Sequence, residues 1–173
     1  EPLPAQTEAL EALGRFRLNR IDKAAVIAAP GVGKTYLSAF DYKASSLPNV
    51  LYIAHRENIL NQSLAAFRHV LDNPAFGTIL TGNSSTAERK DAFAPGSSVF
   101  ATVQTLSQSR VLNRFAPDHF AYIIVDEFHH SAAESYQKVI DHFTPRFFLG
   151  MTATPERMDG RDVLRFCDYN VAY

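Results

Sequence analysis

Residues 24–35, AAVIAAPGVGKT, join an apolar run to a glycine-rich turn. Their first half is an apolar run without alternation, which predicts a strand buried on both faces of a parallel sheet. Their second half is a turn in which Gly31 and Gly33 let backbone N–H groups converge on an anion, while Lys34 adds a positive charge. Residues 34–43 then predict a helix whose positive end faces that anion. This order of strand, glycine turn and helix predicts a phosphate-binding loop.

The glycine turn carries only the second half of the phosphate-loop pattern GxxxxGK[ST]. The full pattern would place a glycine at position 28, where the chain has alanine. Thr35 keeps the hydroxyl that can ligate Mg²⁺, so the chemistry of the loop is retained. The alternative is an ordinary glycine turn into a helix. The strand before the turn and the helix after it favour the phosphate loop.

Six short apolar runs predict strands, and most of them are apolar on both faces. They cover residues 24–29, 50–54, 78–80, 98–102, 121–126 and 146–151. Helical patterns cover residues 5–17, 34–43, 60–71 and 133–143. In the third of these helices, apolar residues repeat at the spacing of a single helix face. Alternating strands and helices predict an α/β fold with a doubly wound, mainly parallel sheet.

Polar clusters follow nearly every predicted strand. In chain order they begin at Pro30, His55, Thr81, Thr102, Asp126 and Thr152. Doubly wound sheets bind their ligands at the carboxyl ends of the strands. We therefore expect these clusters to share one edge of the sheet and to form a composite site there.

The pair Asp126-Glu127 comes directly after the apolar run that predicts the fifth strand. In phosphate-loop enzymes an acidic residue at such a strand end holds Mg²⁺. A second carboxylate can orient or deprotonate the attacking water. The alternative is a solvated acidic strand end. The Gly33-Lys34-Thr35 turn upstream favours the catalytic interpretation.

Two adjacent histidines, His129 and His130, follow the acidic pair and invite a transition-metal interpretation. No second His or Cys cluster has ligand spacing, because the remaining histidines are scattered along the chain. We therefore expect no zinc site. His129 is better interpreted as a coupling residue that hydrogen-bonds across a cleft. A metal-dependent nuclease using Asp126, Glu127 and His129 remains an alternative.

Composition excludes several classes of protein. The chain has 173 residues, which suits one domain. Seventeen basic residues stand against 18 acidic ones, so the net charge is -1 and binding of nucleic acid through a basic tail is not expected. The only cysteine is Cys167, which fits a reducing, cytoplasmic location. No membrane span or secretory signal is apparent, and the start at Glu1 indicates a fragment of a longer protein.

Taken together, the motifs resemble the first RecA-like motor domain of superfamily 2 helicases and translocases. The resemblance is closest to the DEAH-type group, which includes the motor subunits of type I and type III restriction enzymes and excinuclease-like helicases. Residues 28–35 resemble motif I, residues 126–129 motif II and residues 150–157 motif III. Residues 55–57 are similar to motif Ia, and residues 102–106 to motif Ib.

The resemblance implies ATP as cofactor and assigns its site. Gln6 resembles the upstream glutamine that reads adenine. The phosphates would lie on Pro30, Gly31, Val32, Gly33, Lys34 and Thr35. Thr35 and Asp126 would hold Mg²⁺, and Glu127, Asp126, Lys34 and His129 would form the catalytic set. Two departures stand out: Pro30 replaces a threonine and removes one backbone donor, and Phe128 occupies a variable place in motif II.

The resemblance also implies a nucleic-acid partner, DNA rather than RNA, and no membrane. The expected backbone contacts are Arg56, Thr81, Thr102, Gln104 and Thr105. Thr152 and Thr154 would couple the nucleotide site to the nucleic acid.

Members of this group carry a second RecA-like domain that supplies arginine fingers, and we find no place for one before Tyr173. Residues 1–173 are therefore interpreted as the ATP-binding half of a motor, nearly inactive alone. The alternatives are a non-motor phosphate-loop ATPase, which serves signalling or assembly, and the nuclease named above.

Overall fold

The computed structural model describes residues 1–28, 33–127, 133–153 and 170–172. Within these ranges six strands form one sheet. They are β1 (Lys23–Ile27), β2 (Val50–Ala54), β3 (Thr78–Leu80), β4 (Val99–Thr102), β5 (Tyr122–Asp126) and β6 (Phe147–Thr152). The strand order is β1-β6-β5-β2-β4-β3, and every neighbouring pair is parallel. The prediction of a doubly wound, mainly parallel sheet is confirmed.

Seven helices are described. They are α1 (Pro4–Leu18), α2 (Lys34–Ser45), α3 (Glu57–Val70), α4 (Thr86–Ala92), α5 (Val103–Leu106), α6 (Ser109–Leu112) and α7 (Ala133–His142). The four predicted helices are α1, α2, α3 and α7, with ends that differ by a few residues. The short helices α4, α5 and α6 were not predicted, because one or two turns are too short for an apolar period to develop.

The sheet is covered on both faces, which explains why its strands lack alternation. Tyr52 and Ala54 of β2 point into a core formed with α1, α2 and α3. Leu51 and Ile53 of the same strand point into a second core formed with α4–α7. In α3, the predicted inward residues Leu60, Leu64 and Phe67 are buried, while Leu71 lies just past the helix and is partly buried.

A short segment near the end of the chain continues the sheet beyond β1. The Ala25 N–H donates to the Asn170 carbonyl at 2.8 Å, and the Ala172 N–H donates to the Ala25 carbonyl at 2.9 Å. Val171 is thereby paired in parallel with Ala25. No pattern quoted above predicts this pairing. None of the helices in the described ranges combines the length and apolar character needed to cross a membrane.

Candidate nucleotide site at the carboxyl edge of the sheet

The sheet register brings the ends of β1, β5 and β6 side by side. Ile27 pairs with Thr152, and Asp126 pairs with Met151. Just past the strand ends, the Ala28 N–H donates to the Thr152 carbonyl at 3.0 Å, and the Glu127 N–H donates to the Met151 carbonyl at 2.9 Å. The ends of β1, β5 and β6, which are far apart in the chain, therefore meet at one edge.

The described part of the phosphate loop begins at Gly33, immediately before α2. Gly33 has a left-handed backbone conformation, with φ 74° and ψ 39°. Its carbonyl accepts from the Leu37 N–H at 2.9 Å, which is the first hydrogen bond of α2. Lys34 and Thr35 occupy the first turn, where the positive end of a twelve-residue helix favours an anion. The predicted phosphate contacts Pro30, Gly31 and Val32 lie outside the described residues.

Gln6 lies against the described end of this loop. It is 5% exposed, and its Nε2 donates to the Gly33 carbonyl at 3.2 Å. Its Oε1 accepts from the Leu3 N–H at 2.8 Å, which satisfies a backbone donor at the start of α1. Both ends of the Gln6 amide therefore have partners, one in α1 and the other at the phosphate loop.

Asp126 and Lys34 form the charged centre of the site. The Lys34 Nζ lies 4.0 Å from the Asp126 Oδ1, and both side chains are largely buried. Asp126 Oδ2 accepts from the Tyr52 hydroxyl at 2.8 Å. Burial raises the pKa of the Asp126 carboxyl, and the Tyr52 hydrogen bond and the Lys34 charge oppose that rise. Asp126 Oδ1 is buried and accepts no hydrogen bond from the described residues.

An orphaned buried oxygen of this kind fits a metal ligand, because an unpaired buried acceptor is otherwise costly. Thr35 and Asp126 supply hydroxyl and carboxylate oxygens, the ligand type that Mg²⁺ prefers, and they line the same cavity. Among the described residues no group of three or more His, Cys, Asp or Glu side chains surrounds a common point. In nucleotide sites Mg²⁺ usually takes most of its ligands from phosphate and water.

Glu127 follows Asp126 in a left-handed conformation, with φ 51°. Such a conformation is uncommon outside glycine and is concentrated at functional sites. Its side chain is half-buried and lines the same cavity as Lys34 and Thr35. His129, the remaining residue of the predicted catalytic set, lies outside the described residues.

A cavity of about 420 Å³ opens onto these groups, which is within the size range of small-ligand sites. It is lined by Gly33, Lys34, Thr35, Tyr36, Ile59, Gln62, Ala66, Asp126 and Glu127. The lining residues come from α2, from α3 and from the end of β5. The predicted phosphate, metal and water-activating residues that are described therefore share one cavity.

The five residues predicted to contact nucleic acid do not share one environment. Arg56 and Gln104 are exposed, and the Gln104 Nε2 lies 3.3 Å from the Nδ1 of His55. Thr81, Thr102 and Thr105 are buried. The Thr102 hydroxyl donates to that of Thr105 at 3.0 Å, and the Thr81 hydroxyl donates to Glu57 at 3.3 Å. In this structure these hydroxyls are hydrogen-bonded to side chains of the same domain, and their contact with nucleic acid stays a prediction.

The two residues predicted to couple the sites are Thr152 and Thr154. Thr152 is fully buried at the end of β6, where its carbonyl accepts from Ala28 beside the phosphate loop. Thr154 lies outside the described residues.

Sequence reasoning missed Tyr52 as a residue of the site. The run VLYIA predicts a strand, and a tyrosine in such a run is normally interpreted as part of the core. Only the packing of β2 beside β5 places its hydroxyl on Asp126.

The family model described as "Type III restriction enzyme, res subunit" matches residues 1–157. The chain belongs to this family. The chain is 32% identical to the putative mitochondrial ATP-dependent helicase irc3 of Schizosaccharomyces pombe, and the match covers 91% of the chain and 27% of that protein. The chain therefore spans about a quarter of the length of that relative.

Two solved structures show the same fold. The UvsW helicase from bacteriophage T4 superposes with a TM-score of 0.73 at 17% identity, over 99% of this chain and 58% of that one. The Type ISP restriction-modification enzyme LlaGI, solved in complex with a DNA substrate mimic, superposes with a TM-score of 0.70 at 22% identity, over 100% of this chain and 19% of that one. The fold is that of a RecA-like domain. Both the S. pombe relative and the phage T4 protein are described as helicases.

Proposed function

We propose that this chain is the ATP-binding half of an ATP-dependent nucleic-acid helicase or translocase. The observation that carries the proposal is the pairing of Lys34, at the start of α2, with the buried Asp126, at the end of β5, beside a cavity of nucleotide-site size. Membership in a family whose relative is named an ATP-dependent helicase supports the same activity.

The geometry supports a division of labour in which each group has one task. The N–H groups at the start of α2 and the Lys34 ammonium would bind the β- and γ-phosphates. Thr35 and Asp126 would hold Mg²⁺, which when bound neutralises charge on the phosphates. Glu127 would accept the proton of the attacking water, because its carboxylate lines the same cavity. Gln6, already against Gly33, would read adenine.

The rest of the proposed ATP hydrolysis cycle depends on a second protein domain and on nucleic acid. We propose a second RecA-like domain that supplies an arginine to the γ-phosphate, because none of the described residues places an arginine in the cavity lining. The nucleic acid would be DNA, held by Arg56 and Gln104 at the carboxyl edge; the DNA-bound LlaGI structure supports this choice. The single cysteine of the present chain is consistent with a protein that works in the reducing cytoplasm.

Lys34→Ala tests the nucleotide site. Losing a charged hydrogen bond costs about 1.5–3 kcal/mol, which corresponds to roughly 10–150-fold weaker binding of ATP or ADP. Isothermal titration calorimetry at equal Mg²⁺ measures the effect. Lys43→Ala is the matched control, because Lys43 lies at the other end of α2, where its ammonium donates to the Val70 carbonyl. Equal nucleotide affinity in wild type and Lys34→Ala would show that Lys34 does not bind the nucleotide.

A further inference from the structure

Tyr52 lies beside the candidate metal ligand Asp126 and has no role in the function proposed above. It lies in the middle of β2, fully buried, and its hydroxyl donates to Asp126 Oδ2 at 2.8 Å. This hydrogen bond links β2 to the end of β5, where the candidate metal ligand Asp126 lies.

The ring of Tyr52 is held in a single orientation by its neighbours. It stacks on Phe100, with ring centroids 5.4 Å apart and planes 14° apart. Phe67 packs against it edge-on, with centroids 5.8 Å apart. Aromatic contacts on two sides leave the hydroxyl no alternative direction, because buried rings in a close-packed core change rotamer only at a cost.

The two oxygens of Asp126 have different surroundings. Oδ2 is committed to Tyr52, while Oδ1 accepts no hydrogen bond from the described residues and lies 4.0 Å from the Lys34 ammonium. Without the Tyr52 donor, the carboxylate could turn towards Lys34, and that contact would compete with a metal. The Tyr52 hydroxyl therefore determines that Oδ1 of Asp126, and not Oδ2, remains available to a metal ion.

We propose that Tyr52 is a positioning residue for the metal–nucleotide complex: its hydroxyl fixes the Asp126 carboxylate so that Oδ1 is presented to Mg²⁺. This inference rests on the proposed function, because it requires that Asp126 holds the metal of a bound nucleotide. It adds a residue from β2 to a site otherwise built from α1, α2, α3 and the end of β5. Partners of ligating carboxylates orient the ligand, and their loss typically weakens metal binding by about 10–100-fold.

Tyr52→Phe tests the inference, because it removes one oxygen and retains the stacked ring. ADP binding is measured by calorimetry twice, once with excess Mg²⁺ and once with EDTA. The quantity of interest is the ratio of the two affinities, which reports the metal-dependent part alone. We expect this ratio to fall by about 10-fold or more in Tyr52→Phe, while metal-free ADP binding stays close to wild type.

Tyr122→Phe is the matched control. Tyr122 is also fully buried in the sheet, and its hydroxyl donates to the carboxylate of Asp41 at 2.6 Å, away from the cavity lining. We expect its affinity ratio to equal that of wild type. In an Asp126→Asn background, Tyr52→Phe should leave the ratio unchanged, because the carboxylate that it orients is gone.

The possible outcomes distinguish the positioning role of Tyr52 from the proposed ATP-binding function. A Tyr52→Phe protein whose ratio matches those of wild type and Tyr122→Phe overturns the positioning role while leaving the nucleotide site intact. Equal weakening with and without Mg²⁺ also overturns it, since that pattern reports a structural role only. A wild-type protein that binds ADP in neither condition overturns the proposed function, and the inference fails with it.

Discussion

Gly33 and Glu127 both adopt left-handed backbone conformations at the carboxyl edge of the sheet. Glycine takes this conformation without a steric penalty, whereas glutamate does not. At Gly33 the conformation is needed to turn the chain into α2, and the side chain of Gln6 fills the space where a Cβ would lie. At Glu127 the strained backbone sets the direction of the carboxylate expected to activate water. These two residues shape the site through their backbone.

Gly33→Ala should destabilise the protein by about 1–2 kcal/mol, the usual penalty for an L-residue in this conformation. The added Cβ would lie 2.6 Å from the Gln6 Nε2, so the hydrogen bond from Gln6 should also be lost. Urea unfolding measures the change in the free energy of unfolding. Gly14→Ala is the control: Gly14 lies inside α1 with no atom within 4 Å of its would-be Cβ. It should stabilise by about 0.5–1 kcal/mol; equal effects would contradict the argument.

Three elements are joined by a buried ionic network at some distance from the candidate site. Arg17 of α1 donates to both carboxylate oxygens of Asp41 in α2, at 2.6 and 2.8 Å. Tyr122 of β5 donates to the same carboxylate at 2.6 Å. Asp41 is fully buried, and the Arg17 guanidinium also lies 4.9 Å from the ring of Phe147. The network therefore links α1, α2 and β5 through one buried carboxylate.

Arg17→Met should destabilise the protein by about 3–5 kcal/mol, because it leaves the Asp41 carboxylate buried without its counter-charge. The free energy of unfolding in urea measures this loss. Arg15→Met is the matched control, since Arg15 is exposed in the last turn of the same helix and should change stability by no more than about 0.5 kcal/mol. Similar values for the two variants would show that the network contributes nothing specific.

The opposite edges of the sheet should differ in their affinity for nucleic acid. Arg56 is exposed at the carboxyl edge, after β2, whereas Arg146 is exposed at the amino edge, before β6. Binding of single-stranded DNA should be weak, with a salt slope of about two or three phosphates. Arg56→Ala should reduce that slope by about one, and Arg146→Ala should leave it unchanged. Fluorescence anisotropy across salt concentrations measures these slopes. Equal slopes for both variants would contradict the assignment of DNA binding to the carboxyl edge.

Residues 1–173 alone should bind ATP but hydrolyse it slowly, because the proposed arginine comes from a second RecA-like domain. Such an arginine is worth about 10³–10⁵ in rate in related phosphoryl transfer. A protein that includes the second domain should regain this factor, and Glu127→Gln in that protein should abolish turnover while leaving binding largely in place. Steady-state phosphate release from both proteins provides the measurement. Brisk hydrolysis by residues 1–173 that DNA stimulates would refute the half-motor interpretation.

Local patterns were sufficient for the fold class and for the centre of the site. Unbroken apolar runs such as residues 50–54 indicate a strand with both faces covered, whatever lies on either side. The glycine turn before Lys34 and the acidic pair after β5 are each contiguous in the chain, so their placement at strand ends followed from the strand prediction. The capping box between Ser85 and Glu88 shows that α4 was also readable locally, although the sequence analysis did not use it.

Tertiary structure decided which polar groups meet and which reach the surface. Thr81, Thr102 and Thr105 are all buried, and only the packing shows this, because strand-end position alone does not encode the direction of a hydroxyl. Tyr52 and Asp126 are 74 residues apart and meet only because β2 and β5 are neighbours in the sheet. Such long-range contacts depend on strand order and packing, which no local period specifies.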